Sequence, residues 1–375
     1  TFKLDKTDTE LTDLNEQDLF TMLGLQNKKP GTIVWVYEDP TGYGAIDGWE
    51  RVFLQYHRQI WSIFLNKCKA AGLRVIEYPE GNENWVWWHE RNAEECVIST
   101  NENQFELPLI ETGTYDCIVY WGDGTSDVIT AWNKPEKKHT YATPGKYTIK
   151  VTGELSGWKF KDNNRLKFVS TDNWNGLNIT TPRVFTNCAN WVGKSTAVGA
   201  PTISIADFDN MFERCYSLNG DNLNSWGPQI ANVTSMEEMF INCYNFNRRL
   251  DNWDVSNVTS LKKTFKNAYS FDQTLNTWNV GNVLWLSDTF YGCQQLNQSF
   301  SEWRPLNCTT TSRMFFDCPN FNGRLNDWSD SLDNLSDVSQ MFEYCSNFNQ
   351  PLYSWDVSNV TNFSRMFRFC GKYNQ

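Results

Sequence analysis

Three histidines, eleven cysteines and a scatter of carboxylates are the side chains in these 375 residues that could carry chemistry. His57, His89 and His139 stand far apart, and none falls in a zinc-ligand spacing. There is no Cys-x-x-Cys pair, Gly-x-Ser-x-Gly elbow, phosphate loop or dinucleotide fingerprint. Glu77 with Glu80, or Glu94 with Glu95, could be drawn as a glycosidase pair. That chemistry needs a set distance across a cleft, which adjacency in sequence does not supply. The residue types argue against an enzyme and imply no cofactor and no metal.

The remaining chemical motif is Asn-x-Thr/Ser, the acceptor pattern for N-linked sugar. It recurs in "LDNWDVSNVTSLKKTF" (250–265) and "LYSWDVSNVTNFSRMF" (352–367) because the second half of the chain repeats. Aligned on one aromatic, the registers are Phe185, Phe212, Phe240, Phe265, Phe290, Phe315, Phe342 and Phe367, spaced 25 to 28 residues apart. Eight residues before the last six stand Asn232, Asn257, Asn282, Asn307, Asn334 and Asn359, each followed by Val, Cys or Leu. Asn282 separates the two readings, since Asn-Val-Leu keeps the asparagine but not the sugar acceptor. A structural ladder accounts for all six and glycosylation for five. In such a ladder the amide would bond the backbone of neighbouring coils and satisfy groups that burial would orphan.

The same phase places cysteines three residues after the Phe: Cys188, Cys215, Cys243, Cys293, Cys318, Cys345 and Cys370, with Ala268 as the exception. This column calls for a small apolar filler, which a free Cys provides. Stacked equivalent side chains point the same way, which suits a disulfide poorly, and Cys308 falls in the Val column. Trp226, Trp253, Trp278, Trp303, Trp328 and Trp355 form a third column, read as a buried aromatic ladder in preference to an exposed row that stacks on sugars. A second polar ladder runs through Asn219, Asn247, Asp272, Asn297, Asn322, Asn349 and Asn374. The Met-Phe segments are expected in short helical turns, with Ser235 and Glu238 in capping-box spacing. Specificity then falls to positions that differ between coils, such as Arg248, Arg249, Lys262, Lys263, Gln294, Gln295 and Arg304, expected along one face of a rod about 40 Å long at roughly 5 Å per coil.

These units resemble the 25–26-residue surface-protein repeat family, related to leucine-rich repeats and found in bacterial cell-surface lipoproteins, adhesins and some viral proteins. The resemblance implies a leucine-rich-repeat-like β/α solenoid over 156–375. Ahead of it, residues 96–155 contain Trp121-Gly122-Asp123-Gly124-Thr125, His139-Thr140-Tyr141, Pro144-Gly145 and Tyr147-Thr148-Ile149. Gly-Asp-Gly closes a tight turn after a strand, and Pro-Gly leads into an alternating strand. This pattern resembles the polycystic-kidney-disease (PKD) domain, an immunoglobulin-like β-sandwich, with the family's Trp-Asp-Phe-Gly-Asp-Gly shortened here to Tyr-Trp-Gly-Asp-Gly. Asp123 and Asp127 could flank a calcium ion beside that turn, although a turn role accounts for them more simply.

Residues 1–95 show no repeat and read as a small α+β domain. A strand is expected at 32–37, a helix at 48–71 with Asp47 as N-cap, and strands in "LRVIEY" and "NWVWWHE". With 18 Trp, 15 Tyr and 24 Phe the chain is strongly aromatic. Its formal charge of −11 and pI near 4.9 argue against nucleic acid or anionic lipid as partners. No run of 18 apolar residues is present to insert in a membrane.

The start, "TFKLDKTDTELTDLNEQDLF", lacks the basic and apolar regions of a signal peptide. Either one was removed, or the sequence begins inside a longer product, or none was needed. The end, "CGKYNQ", stops where another coil would continue, so either more protein follows or something else covers that layer. The function expected is non-catalytic recognition or adhesion, with the solenoid binding a host surface, glycan or protein. The alternative is an architectural virion fibre, decoration or surface-layer protein that packs against copies or neighbours. Display on a virion or on a microbial cell surface fits both.

Overall fold

The computed structural model describes residues 103–220 and 222–375, and ahead of them three strands. Two compact units divide the chain, Thr1–Glu90 and Arg91–Gln375. The described part of the first unit is a parallel pair, β1 (Ile33–Val36) and β2 (Arg74–Glu77), with Ile33 opposite Arg74. Parallel neighbours require a crossover between them. The helix expected at 48–71, the "NWVWWHE" strand, Glu80, His57 and His89 lie outside the described residues.

The second unit opens with β3 (Glu94–Thr100), β4 (Gln104–Glu106), β5 (Leu109–Tyr120), β6 (Ser126–Ile129), β7 (Lys138–Thr140) and β8 (Gly145–Trp158). Alternation builds these strands: Tyr115, Cys117 and Val119 of β5 and Ile149, Val151 and Leu155 of β8 face inward while their neighbours face out. A four-residue helix, α1 (Asn164–Lys167), precedes β9 (Phe168–Asn173), β10 (Leu177–Ile179) and β11 (Thr202–Ile203). One seven-stranded sheet runs β11-β10-β8-β3-β9, with β5 on the other edge of β8 and β6 beyond it; β4 and β7 form a separate pair.

β8 joins the sheet to the repeats. Its Leu155 and Ser156 pair in parallel with Leu177 and Asn178, and β10 then pairs with Thr202 and Ile203. Single parallel bridges continue the series, from Asp207 to Ser235, Ser260, Trp285, Thr310, Asp337 and Asn362, one residue per coil. Residue 155, where the sequence reading divided sandwich from repeats, lies inside β8.

Through the coil centres the register phenylalanines stack with ring centroids 5.0–5.9 Å apart and planes within 16°. Each such contact contributes about 0.5–1.5 kcal/mol beyond its buried area. At the sheet end Phe160, Phe168 and Trp174 pack on Phe185, so sheet and stack share one core.

The expectation of helical turns at the Met-Phe segments, and with it the β/α description, is corrected. The residues two before and two after each Phe have left-handed backbone, as at Glu238 (φ 55°) and Asn242 (φ 61°), or Lys263 (φ 57°) and Asn267 (φ 59°). Such residues interrupt a right-handed helix. Alternate N–H groups instead close turns within the coil (Ile241 to Glu238 O, 3.1 Å) or reach the next coil (Phe240 to Thr264 O, 2.8 Å; Asn242 to Lys266 O, 2.8 Å). Ser235 is therefore a bridge residue rather than a cap, and its hydroxyl donates to Asp209 Oδ1 at 2.6 Å. Among the described residues the repeats contain only α2 (Gly227–Ile230) and two 3-10 turns, Leu223–Trp226 and Asn326–Trp328. Among the described residues the architecture is multidomain and β-rich, with few helices.

Candidate functional site

Most of the repeated side chains face other coils. Asn257 Nδ2 donates to Ala231 O, Asn282 to Ser256 O, Asn307 to Gly281 O, Asn334 to Leu306 O and Asn359 to Asp333 O, all at 2.8–2.9 Å. The acceptor each time is the residue just before the preceding coil's asparagine, which for the first rung is Asn232. All six asparagines are exposed, which corrects the expectation that they satisfy buried groups. The next residue in each coil faces inward in the interior coils, and the asparagine beside it faces out. In the second ladder each residue's N–H donates to the side chain one coil earlier: Asn247 to Asn219, Asp272 to Asn247, and onward to Asn374 and Asn349, at 2.8–3.0 Å.

The cysteines also bond the previous coil, each thiol pointing at a register phenylalanine's carbonyl: Cys215 to Phe185, Cys243 to Phe212, Cys293 to Phe265, Cys318 to Phe290, Cys345 to Phe315 and Cys370 to Phe342. Burial pushes these thiols up, to about 11 at the half-buried Cys370 and further in the interior. The thiolate that metal binding or nucleophilic attack would need is thereby suppressed. The six column tryptophans, Trp226 to Trp355, are buried, and from Trp253 onward each of their indole N–H groups donates to a carbonyl one coil back, as Trp278 does to Leu250 at 2.9 Å.

At the turn after β5, Gly122 (φ 85°) and Gly124 (φ 90°) allow the reversal, and a Cβ on Gly122 would meet Thr148 O at 2.5 Å. Asp123 accepts from the Thr125 N–H and hydroxyl through Oδ1, while Oδ2 lies 2.8 Å from His139 Nε2. His139 stacks on the buried Trp121, whose indole N–H donates to Asp127 Oδ2 at 2.9 Å. Both carboxylates are thus engaged by the turn. Among the described residues no group of three or more His, Cys, Asp or Glu is placed to hold a metal ion.

Most of the candidate contact cations are engaged within the coils. Arg248 bonds Asn219 O, and Arg249 pairs with Asp251 at 2.5 Å. Arg304 donates to Ser301 O and Trp303 O within its own turn, and Lys263 pairs with Glu238 at 2.7 Å. Lys262 stands two residues after the bridge residue Ser260.

Two features escaped the sequence reading. Asp288 is buried between Lys266 (3.1 Å) and Arg313 (3.0 Å), and Glu343 is buried against Arg368 (3.2 Å). Four residues after the Phe, Tyr216, Tyr244 and Tyr269 stack face to face at 5.0 and 4.8 Å with their edges outward; Tyr216 and Tyr269 are exposed. Burial, then its two tyrosine neighbours, pushes the Tyr244 phenol up. Further along, Tyr291 stacks on Phe316 and Tyr344 on Phe369. The Phe+4 column holds Tyr in three successive coils, and that signal was there to be read.

No described helix is long and apolar enough to cross a membrane. No curated protein and no solved structure matches the chain. A model of the family described as "Mycoplasma protein of unknown function, DUF285" matches three overlapping stretches, 157–275, 206–328 and 286–375. Together they cover every repeat and more than half of the chain, which therefore belongs to the DUF285 family.

Proposed function

We propose that this chain is a non-catalytic recognition protein displayed on a microbial surface or virion, with a leucine-rich-repeat-related solenoid carried beside a PKD-like module. The observation that carries the reading is the outward tyrosine row, Tyr216, Tyr244 and Tyr269. Core and ladder side chains are committed between coils, so contacts with a partner fall to positions outside those columns. Tyrosine supplies large amphipathic contact area at low entropic cost, as in protein interfaces. The rings' faces cover one another, so the row presents edges and hydroxyls. That arrangement suits a protein surface better than a sugar face.

The test is binding of the full chain to arrayed extracellular proteins and glycans, compared with Tyr216→Ser/Tyr244→Ser/Tyr269→Ser. Loss of a protein partner at unchanged melting temperature supports the reading. Binding that survives the triple substitution, or is confined to further copies of the chain, counts against it.

A further inference from the structure

Away from the coils, the sheet end of the second unit carries a cavity of about 430 Å3, inside the ~300–1,000 Å3 range of small-ligand sites. Three segments wall it: the β4–β5 connection with Glu106, the loop with Trp132 and Lys137, and the β8–α1 connection with Lys159 and Lys161. Lys159 N–H donates to Pro108 O at 2.8 Å, Leu107 N–H to Lys137 O at 2.8 Å, and Asn164 Nδ2 to Glu106 O at 2.9 Å. These bonds tie the walls together, so the cavity is preformed.

Three ammoniums, Lys137, Lys159 and Lys161, and three carboxylates, Glu106, Glu111 and Asp162, line it, and they are not all paired. Lys137 pairs with Glu106 at 2.8 Å, while Lys159 and Lys161 have no acidic partner among the described residues. Burial lowers the Lys159 ammonium pKa, and its charged neighbours, Arg183 and Lys161, lower it further. Glu111 and Asp162 also line the cavity; both are exposed, and neither forms an ion pair with Lys159 or Lys161 among the described residues. A half-buried ammonium without an ion pair is unusual in a chain of formal charge −11, and an anion bound there would relieve it. Trp132 lines the same space, is 36% exposed, and has the Lys137 ammonium 5.6 Å from its ring centroid. A cation beside an open indole suits a ring with an apolar face and an acidic substituent.

We propose that this cavity binds an acidic sugar residue, with its carboxylate or sulfate held by Lys159 and Lys161 and its ring against Trp132. The site stands apart from the tyrosine row and does not depend on that reading.

The experiment is calorimetric titration of the full chain with glucuronic acid, N-acetylneuraminic acid, galactose 6-sulfate, galactose and inorganic sulfate. At least one acidic sugar is expected to bind while galactose does not, and the binding arm separates carboxylate from sulfate. Lys159→Gln and the more exposed Lys161→Gln should each weaken binding roughly tenfold. Trp132→Ala should weaken the sugar, and Lys138→Gln on β7 should change nothing. Amine acylation followed by peptide mass spectrometry should show Lys159 protected by the bound sugar. Absence of binding at millimolar sugar, equal affinity for inorganic sulfate, or equal loss in Lys138→Gln would overturn the proposal.

Discussion

Asn282 donates its side-chain amide to the Ser256 carbonyl at 2.8 Å, and Asn257 makes the same bond to Ala231 one coil earlier. Only Asn257 belongs to a sugar-acceptor triplet, because Leu284 stands where the threonine would be. In a host that does not glycosylate, Asn257→Ala and Asn282→Ala are each expected to cost about 0.5–1 kcal/mol, the low end for a hydrogen bond at an exposed site. Urea unfolding of both variants measures this. A neutral Asn257→Ala would remove the ladder as a stabilising element.

The thiols should divide by burial. Among the nine described cysteines, Cys370 alone is not fully buried and its thiol is pushed up only to about 11, while Cys308 is pushed to about 12 and the interior column further. At pH 8, iodoacetamide should label Cys370 first, and Cys215, Cys243, Cys293, Cys318 and Cys345 only after unfolding. Peptide mass spectrometry reads the order, and early labelling of Cys293 or Cys318 in the native chain would contradict it.

What the sequence disclosed follows from what repeats. A side chain that bonds the neighbouring coil at a fixed register, such as Asp272 accepting from the Asn297 N–H or the Cys318 thiol donating to the Phe290 carbonyl, must recur in phase, and the phase is visible in one sequence. Exposure of the asparagines was not legible, because a surface ladder and a buried one leave the same letters. The turns around each Phe were misread because Glu238, Lys263 and Arg313 hold left-handed backbone without glycine's signature. Ser235 and Glu238 happen to match a capping box. Tyr216, Tyr244 and Tyr269 share the Phe+4 register and were legible in phase, but beyond Tyr269 the aromatic surface changes column, to Tyr291 and then Tyr344, so no single register reveals all of it. Asp288 and Glu343 depend on cations from neighbouring coils, and although Glu238 and Glu213 share their columns, most coils place other residue types there, so the pairs leave no phased signal.

Asp288 gives an asymmetric prediction. Its carboxylate is 1% exposed, whereas the Lys266 and Arg313 side chains are 22% and 44% exposed. Removing both cations by Lys266→Ala/Arg313→Ala strands a buried charge and should cost about 3–5 kcal/mol. Asp288→Asn leaves two cations that can turn to water, and should cost about half as much or less. Chemical unfolding of the two variants checks the ranking, and a costlier Asp288→Asn would reverse the argument.

The turn after β5 should confer acid sensitivity. Burial alone would raise the Asp123 carboxyl, but bonds from Thr125 and His139 outweigh it and bring it down to about 2. A folded value below the unfolded ~3.9 means the stabilisation is present above about pH 4 and is lost as pH falls through about 2. Discounted for the turn's access to solvent, it amounts to on the order of 1 kcal/mol. Asp123→Asn should therefore be less stable than the parent at pH 6, with the gap closing between pH 4 and 2. A gap that stays constant across this range would assign the loss to shape rather than charge.

The left-handed positions distinguish turn from helix most directly. Arg365 has φ 58°, two residues before Phe367, and its side chain makes no ion pair among the described residues. A side chain with a Cβ costs about 1–2 kcal/mol in that region, which glycine escapes at the expense of some unfolded-state entropy. Arg365→Gly is thus expected to raise stability by about 0.5–1 kcal/mol, and Arg365→Val to lower it by a similar amount or more. Had the Met-Phe segment been helical, Arg365→Gly would instead lose about 1 kcal/mol. The sign of one thermal-melt difference decides between the two backbones, and the equivalent Lys263→Gly should fall short of Arg365→Gly by whatever the Glu238 pair contributes.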